Sequence, residues 1–543
     1  MSPHPFPIRK NPGGKRRLYG DAVERVMRRL LLLFLLGAMT CRADAHAWSA
    51  PYYLPLPLWL YSYASVSALL LTYAVVALGR KGTLRVRQAR LLCDVPNGLI
   101  VGTSLVLLLL LVASAVLGVI GPQNAFQNIG MNVFWVWLYI GMLYLTVVFG
   151  DFYTYVNPFK LFLAIASTWV PRTEKGLLRY DQRLGYFPAL AAYALIVSLE
   201  LFGKAVPLEV TWIVAALFSY ALVGSLLFGR QTWVAYFDPF RVLFWLCSQM
   251  SPFEWKLKSD ITAAVHFSLD KPLERLTKPQ HWTVVLFLTF MLASTAYDGL
   301  HETAPWSSLF WHYVYAGAAF IYPSLRSNYL LATDFFWVYQ TVMLYGASFV
   351  YLLAYLGTMA SCKVAMRWVV RARTTPNSRT TLHSNNALRG SPANAYPRDP
   401  EDSERSLDNQ SSESLPGLAG RFCMLLLPIA VFYHVAHYFT FFIAQISSAP
   451  SLLSDPLGKG WNLLGLASAL DSPVQQLLGM NWVWHAQVLL ILVGHLIGVI
   501  VAHAVSTIVG RTRKGALLIH APALVLTLLL TVGGLYILSL PFG

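Results

Sequence analysis

The chain predicts an all-α fold, a polytopic bundle of about ten membrane-spanning helices with two short interfacial amphipathic helices. Three observations predict it. Ten apolar stretches run at Leu56–Leu78, Gly98–Ile120, Met131–Phe149, Tyr186–Phe202, Val210–Phe228, Trp282–Asp298, Phe335–Met359, Phe422–Ile446, Val483–Ile508 and Leu517–Leu540. Each approaches the ~20 residues that cross a hydrocarbon core. The composition is 56% hydrophobic and 12% charged across 543 residues. The connections also alternate in charge: those after spans 1, 3, 5, 7 and 9 hold 29 Lys and Arg, and those after spans 2, 4, 6 and 8 hold three, Lys204, Arg326 and Lys459.

Positive connections stay on the cytoplasmic side. The first span is therefore expected to enter from outside, and Gly543 to end outside. On this reading the net charge of +16 is a topology signal. Its cations are spread over five separate connections, so no nucleic-acid partner is expected; the expected surroundings are a lipid bilayer. Trp59, Tyr61, Trp135, Trp137, Trp482 and Trp484 lie near span ends, where amphipathic rings favour the headgroup region.

Before the first span, Lys15-Arg16-Arg17 and Arg28-Arg29 precede a short apolar core, Leu30–Met39, and then Ala43-Asp44-Ala45. That order predicts a signal peptide over 1–45 with His46 as the new N-terminus. The mature chain then divides into a seven-span module over 46–360, a cytoplasmic linker over 361–421 and a three-span module over 422–543. The linker's centre, Thr374–Pro416, is rich in Ser, Asn, Arg and Pro and too polar to bury a core. Of the five cysteines, Cys41 falls in the leader. Cys93, Cys247, Cys362 and Cys423 fall on the cytoplasmic side, so no external disulfide framework is expected.

An internal repeat links the third and fifth connections. Asn157-Pro158-Phe159-Lys160 recurs as Asp238-Pro239-Phe240-Arg241, and Tyr155, Ser167 and Pro171 match Tyr236, Ser248 and Pro252 at the same offset. Asn or Asp as N-cap with Pro at the first helical position starts a helix, so each copy predicts an interfacial helix. Both parent spans run in one direction, which makes the repeat parallel. It reads either as a duplicated transporter half or as a structural elbow.

Two sets of polar residues stand out. His434 and His437 in span 8, and His495 and His503 in span 9, are ionisable groups at membrane depth, where such groups are costly and often functional. Counted from the inner boundary at ~1.5 Å per residue, His437 and His495 both fall about 20 Å in, so they are expected to face each other near the midplane. They suit a metal or haem site, or interhelical hydrogen bonds. The second set is at the outer face: Asp298 and His301 closing span 6, Asp334 opening and capping span 7, Asp455 between spans 8 and 9, and the new terminus at His46. Two or three of these could hold a divalent metal ion that activates water. There is no P-loop, H-E-x-x-H, G-x-S-x-G or C-x-x-C, which argues against an ATP-driven pump and against the soluble hydrolase classes.

Several stretches resemble one family. They are Leu54-Pro55-Leu56-Pro57-Leu58-Trp59-Leu60 after His46, Asn157-Pro158-Phe159, Tyr297-Asp298-Gly299, Ala436-His437-Tyr438, Ser454-Asp455-Pro456-Leu457-Gly458, Gly494-His495 and Ala502-His503. Together the chain resembles the bacterial polytopic fenitrothion hydrolases, the membrane organophosphorus hydrolase type. Ala47 stands where that family has Gly, and Ala504 where it has Asp. The resemblance implies an inner-membrane enzyme that hydrolyses a small phosphotriester to a phenol and a dialkyl (thio)phosphate, with a second membrane subunit as partner. The residue readings alone leave open a transporter that uses the midplane histidines, or an assembly subunit without chemistry.

Overall fold

The computed structural model describes residues 56–79, 89–204, 206–259, 262–374, 414–465, 482–510 and 512–540. The leader with His46, the linker over 375–413 and Gly543 lie outside the described residues. Among the described residues, nine helices are long and apolar enough to cross a membrane.

In chain order these elements are α1 (Leu58–Leu78), β1 (Arg90–Pro96), α2 (Asn97–Ile120), α3 (Ile129–Phe149), α4 (Pro158–Trp169), α5 (Phe187–Phe202), α6 (Pro207–Phe228), α7 (Pro239–Ser248), β2 (Phe253–Ser259) and β3 (Thr262–Phe267). They continue with α8 (Trp282–His301), α9 (304–321), α10 (Tyr329–Thr374), α11 (Leu415–His437), α12 (Phe439–Ser454), α13 (Trp482–Gly510) and α14 (Arg513–Leu538). Most of the helices are apolar all round, as expected of helices surrounded by protein or lipid.

Burial sorts centre from rim. The apolar window of α8 is 78% buried and that of α11 is 72%, whereas α1 and α2 reach 22% and 28%. One continuous core runs from Tyr61 to Leu535 and takes residues from both sides of the linker. The seven-plus-three division thus describes the chain order, while the packing joins both parts.

The Lys- and Arg-rich connections meet at one end of the bundle. The connection after α1 supplies β1, which pairs with β3 from the connection after α6. Gln280 N donates to Gly420 O, which ties that connection to the one after α10, and Leu178 N donates to Leu227 O. Arg513 Nε donates to Ala77 O, joining the start of α14 to the end of α1. At the opposite end the second and eighth connections touch, with Pro122 against Gly458.

Four expectations need correction. The fourth span, α5, is a helix of 16 residues, ~24 Å at 1.5 Å per residue, shorter than a full crossing. The eighth span is broken: α11 ends at His437, Tyr438 sits at φ −85°, ψ 7°, and α12 begins anew at Phe439. The linker expected over 361–421 is helical at both ends, through Thr374 in α10 and from Leu415 in α11. Finally, the helices are joined by a small antiparallel sheet in the order β1-β3-β2. Its signal was the period-two pattern Phe253-Glu254-Trp255-Lys256-Leu257-Lys258, which suits a strand with one face covered.

The repeat forms the predicted helices. Asn157 Oδ1 accepts from Lys160 N to cap α4, and Asp238 Oδ1 accepts from Phe240 N and Arg241 N to cap α7. The two caps also bond each other: Asn157 Nδ2 donates to Asp238 Oδ2 at 2.6 Å. The matching rings Phe159 and Phe240 stack at 6.3 Å and 4°. Equivalent residues of the two copies thus touch each other. The junction also corrects the interfacial reading of α7, whose residues from Pro239 to Ser248 are buried except Arg241 and Trp245.

Candidate functional site

Asp298 lies in the last turn of α8, the most enclosed of the long apolar helices, and is 9% exposed. Its carboxylate draws three elements together. Oδ2 accepts from His437 Nε2 at 2.7 Å and from the Tyr438 hydroxyl at 2.7 Å. His301, one turn along α8, brings Nε2 to 3.4 Å from Oδ1, longer than a well-formed hydrogen bond.

This arrangement accounts for the break after α11. Consecutive helical residues point ~100° apart. The change of backbone direction at Tyr438 helps His437 and Tyr438 reach one oxygen atom. Charge-assisted hydrogen bonds of this kind are roughly twice as strong as neutral ones, and the flanking bonds Tyr438 N to His434 O and Phe442 N to Tyr438 O are kept.

Beside the carboxylate is a cavity of ≈ 10 Å³ whose lining includes Tyr139, Tyr193, Glu200, Asp298, His434 and Tyr438. That is about the space of one water. Glu200, from α5, lies within hydrogen-bonding reach of the Tyr438 hydroxyl. Tyr139 is supplied by a π-helical stretch of α3, Asn132–Gly141; such widened turns are frequent at functional sites. His434 is 2% exposed, packs on the Tyr438 ring at 4.6 Å, and neither of its ring nitrogens has a hydrogen-bond partner. At the mouth, past the end of α8, burial pushes the Glu302 carboxyl up to about 7, and the Asp298 charge adds to the shift.

The predicted residues scatter as follows. Asp298, His301, His437 and His434 come together. His495 does not join them. Gln487 Nε2 donates to Ala436 O, and Gly494 packs where a Cβ would meet Pro428 O and Phe432. The residue of α13 level with His437 is thus Gln487, and His495 lies two turns away, ~12 Å along the axis. The equal depth expected for His437 and His495 fails because α11 starts at Leu415, seven residues before the boundary assumed at Phe422. His495 instead donates Nδ1–H to Ile491 O at 2.7 Å. His503 packs against His520 of α14.

The outer acids are elsewhere too. Asp455 closes its own loop, accepting from Lys459 N and Gly460 N. Asp334 is exposed within α10, and the cap it was expected to supply comes from Asn328, whose Oδ1 accepts from Leu331 N. His46 lies outside the described residues. Glu200, Tyr438, Tyr139 and Tyr193 were missed. Glu200 had a readable signal, a single carboxylate within an apolar run, Leu195–Phe202.

The fit to a divalent ion is poor. Among the described residues no group of three or more His, Cys, Asp and Glu is arranged to hold a metal. Asp298 Oδ2 is already shared by two donors, and His437 turns Nε2 toward that oxygen, so the nearest ligand atoms face one another and leave no common centre. Comparison of the chain with family models, curated proteins and solved structures finds no match.

Proposed function

We propose that this chain is a multi-pass inner-membrane protein of the transporter type that conducts protons, with Asp298 and His437 as its protonation site. The observation that carries the proposal is one buried carboxylate held by His437 and Tyr438 at a helix break, beside Glu200 and a water-sized cavity. Ionisable groups inside a membrane are costly, and chains of Asp, Glu and His there serve as proton relays. Broken helices mark the sites of many carriers. Tyr438 has one hydroxyl proton, which goes to Asp298; a Glu200 meeting the same oxygen does so as a donor. The route is then Glu302, Asp298, Tyr438, Glu200, with His301 and His437 as exchangeable partners.

The positive-inside rule puts the Lys- and Arg-rich end in the cytoplasm and Glu302 at the outer surface. The test uses the full chain in liposomes loaded with a pH-sensitive dye, under an imposed potassium diffusion potential. Proton entry is expected, and Asp298→Asn should lower it by about 100-fold.

A second reading has one supporting observation. A carboxylate that orients an imidazole, as Asp298 orients His437, is the geometry of a general base for water. It agrees with the resemblance to membrane organophosphorus hydrolases. The ≈ 10 Å³ cavity falls far short of the ~300 Å³ typical of ligand pockets, so this reading ranks second. Phosphotriester turnover that is lost in Asp298→Asn, with no proton entry in the unaltered chain, would reverse the ranking.

A further inference from the structure

A second pair of histidines lies outside the Asp298 network. His503 on α13 and His520 on α14 place their ring centres 5.4 Å apart at 57°. Tyr73 of α1 packs edge-on against His520 at 4.9 Å, and its hydroxyl is directed to Leu517 O at 3.5 Å. His520 is fully buried. Neither ring nitrogen of His520 and not the Nδ1 of His503 has a hydrogen-bond partner.

This is an unusual cost for a structural residue. A neutral imidazole always carries one N–H and one lone pair, so a fully buried His520 leaves a donor and an acceptor unmet in either tautomer. Buried polar groups are nearly always paired, and an exception calls for a specific cause such as an unseen ion. His520 lies six residues after Lys514, and His503 eight before Arg511. Both rings thus sit at similar depth, ~9–12 Å from the Lys- and Arg-rich end. Pro522 has no N–H to give to the Leu518 carbonyl, which loosens α14 beside His520.

We infer that His503 and His520 form a two-coordinate site for a monovalent d10 cation, Cu(I), between α13 and α14. Divalent zinc needs three or four protein donors, and no set of three is present among the described residues. Cu(I) accepts two nitrogen ligands in a line. Two imidazoles whose centres are 5.4 Å apart bracket such an ion without large movement. The cation takes up one lone pair from each ring, and its single positive charge is less costly at this depth than a divalent one. Tyr73 closes the third side with its ring and keeps its hydroxyl on the backbone.

The test uses the full chain purified in mild detergent, with Cu(I) offered in competition with a chromogenic Cu(I) chelator under reducing conditions. Uptake of one Cu(I) per chain is expected, with an X-ray absorption spectrum of a two-coordinate nitrogen shell. His503→Leu and His520→Leu should each weaken uptake by ~10-fold or more, and His495→Leu should leave it unchanged. Because the unaltered chain is read directly, a variant that fails to fold does not hide the answer. No uptake by the unaltered chain would overturn the site. So would uptake that survives both His503→Leu and His520→Leu, or a shell of three or more ligands. Proton conduction does not enter the measurement, so the two proposals stand or fall separately.

Discussion

Two buried carboxylates in this bundle have opposite surroundings. Asp238 is satisfied by fixed, neutral donors: two backbone N–H groups of α7 and the Asn157 amide. Asp298 is satisfied by groups that can themselves change protonation, His437 and Tyr438, with His301 held just out of bonding range. Asp238 joins two copies of a repeat. Asp298 sits at a broken helix beside a cavity. A buried acid is therefore no sign of function by itself; the titratability of its partners and the room beside it decide. At the repeat the cap atoms bond one another and the helix starts, which favours a structural elbow over a duplicated transporter half.

The largest expected effect separates these two acids by activity. Asp298→Asn should lower proton entry into liposomes by about 100-fold, the scale of removing a positioned acid–base group. Asp238→Asn should leave it within about twofold in protein that still folds. Equal losses would erase the distinction.

Stability should divide them the other way. Asp238→Ala removes a cap worth ~1 kcal/mol and leaves the Asn157 amide unpaired, a further ~1–3 kcal/mol. Thermal unfolding in detergent measures the sum. Asn157→Ala with Asp238→Ala should cost less than the two singles added, by ~0.5–3 kcal/mol of coupling; strict additivity would mean that the cap-to-cap bond contributes nothing.

The register of α11 on α13 is sharpened at Gly494. A Cβ there would lie 2.6 Å from Pro428 O, so Gly494→Val should cost ~1–3 kcal/mol by overpacking. It should also lower proton entry, because α11 carries His437. A variant as stable as the parent would show that these helices do not approach so closely.

A smaller effect concerns pH. Burial raises Glu302 from 4.5 to about 7, so the folded chain holds this proton after the unfolded chain has released it. The stability contribution is fully present below pH 4.5 and is lost as pH rises through about 7. Glu302→Gln should flatten melting temperature against pH across that window. The least effect is expected at Asp334→Asn, an exposed position, within about 0.5 kcal/mol in stability and with unchanged proton entry.

Legibility in the sequence followed interaction range. Apolar runs, the charge alternation of the connections and the Asn157 and Asp238 caps are local patterns; those two caps and most of the helices appear where the patterns put them, while several helix ends do not. Within the site, the ionisable residues His437, His434, Asp298 and His301 were marked by their presence in apolar surroundings. Their grouping was not. A count from the ends of the spans placed His437 opposite His495, and an error of seven residues at one helix start moved the pairing to Gln487.

The sequence by itself determined that the chain is helical and apolar, which stretches are long enough to span a bilayer, and which residues would be costly to bury. Those properties depend on composition and on periods of a few residues. Only the tertiary structure decided that Asp298 takes both His437 and Tyr438, that Glu200 joins them, that Asn157 meets Asp238 and that His503 meets His520. Each of these pairings joins residues on different helices, and it depends on helix register and rotation. A shift of one residue turns a side chain by ~100° and moves it ~1.5 Å along the axis, so contact is set by packing between helices, which no local pattern encodes.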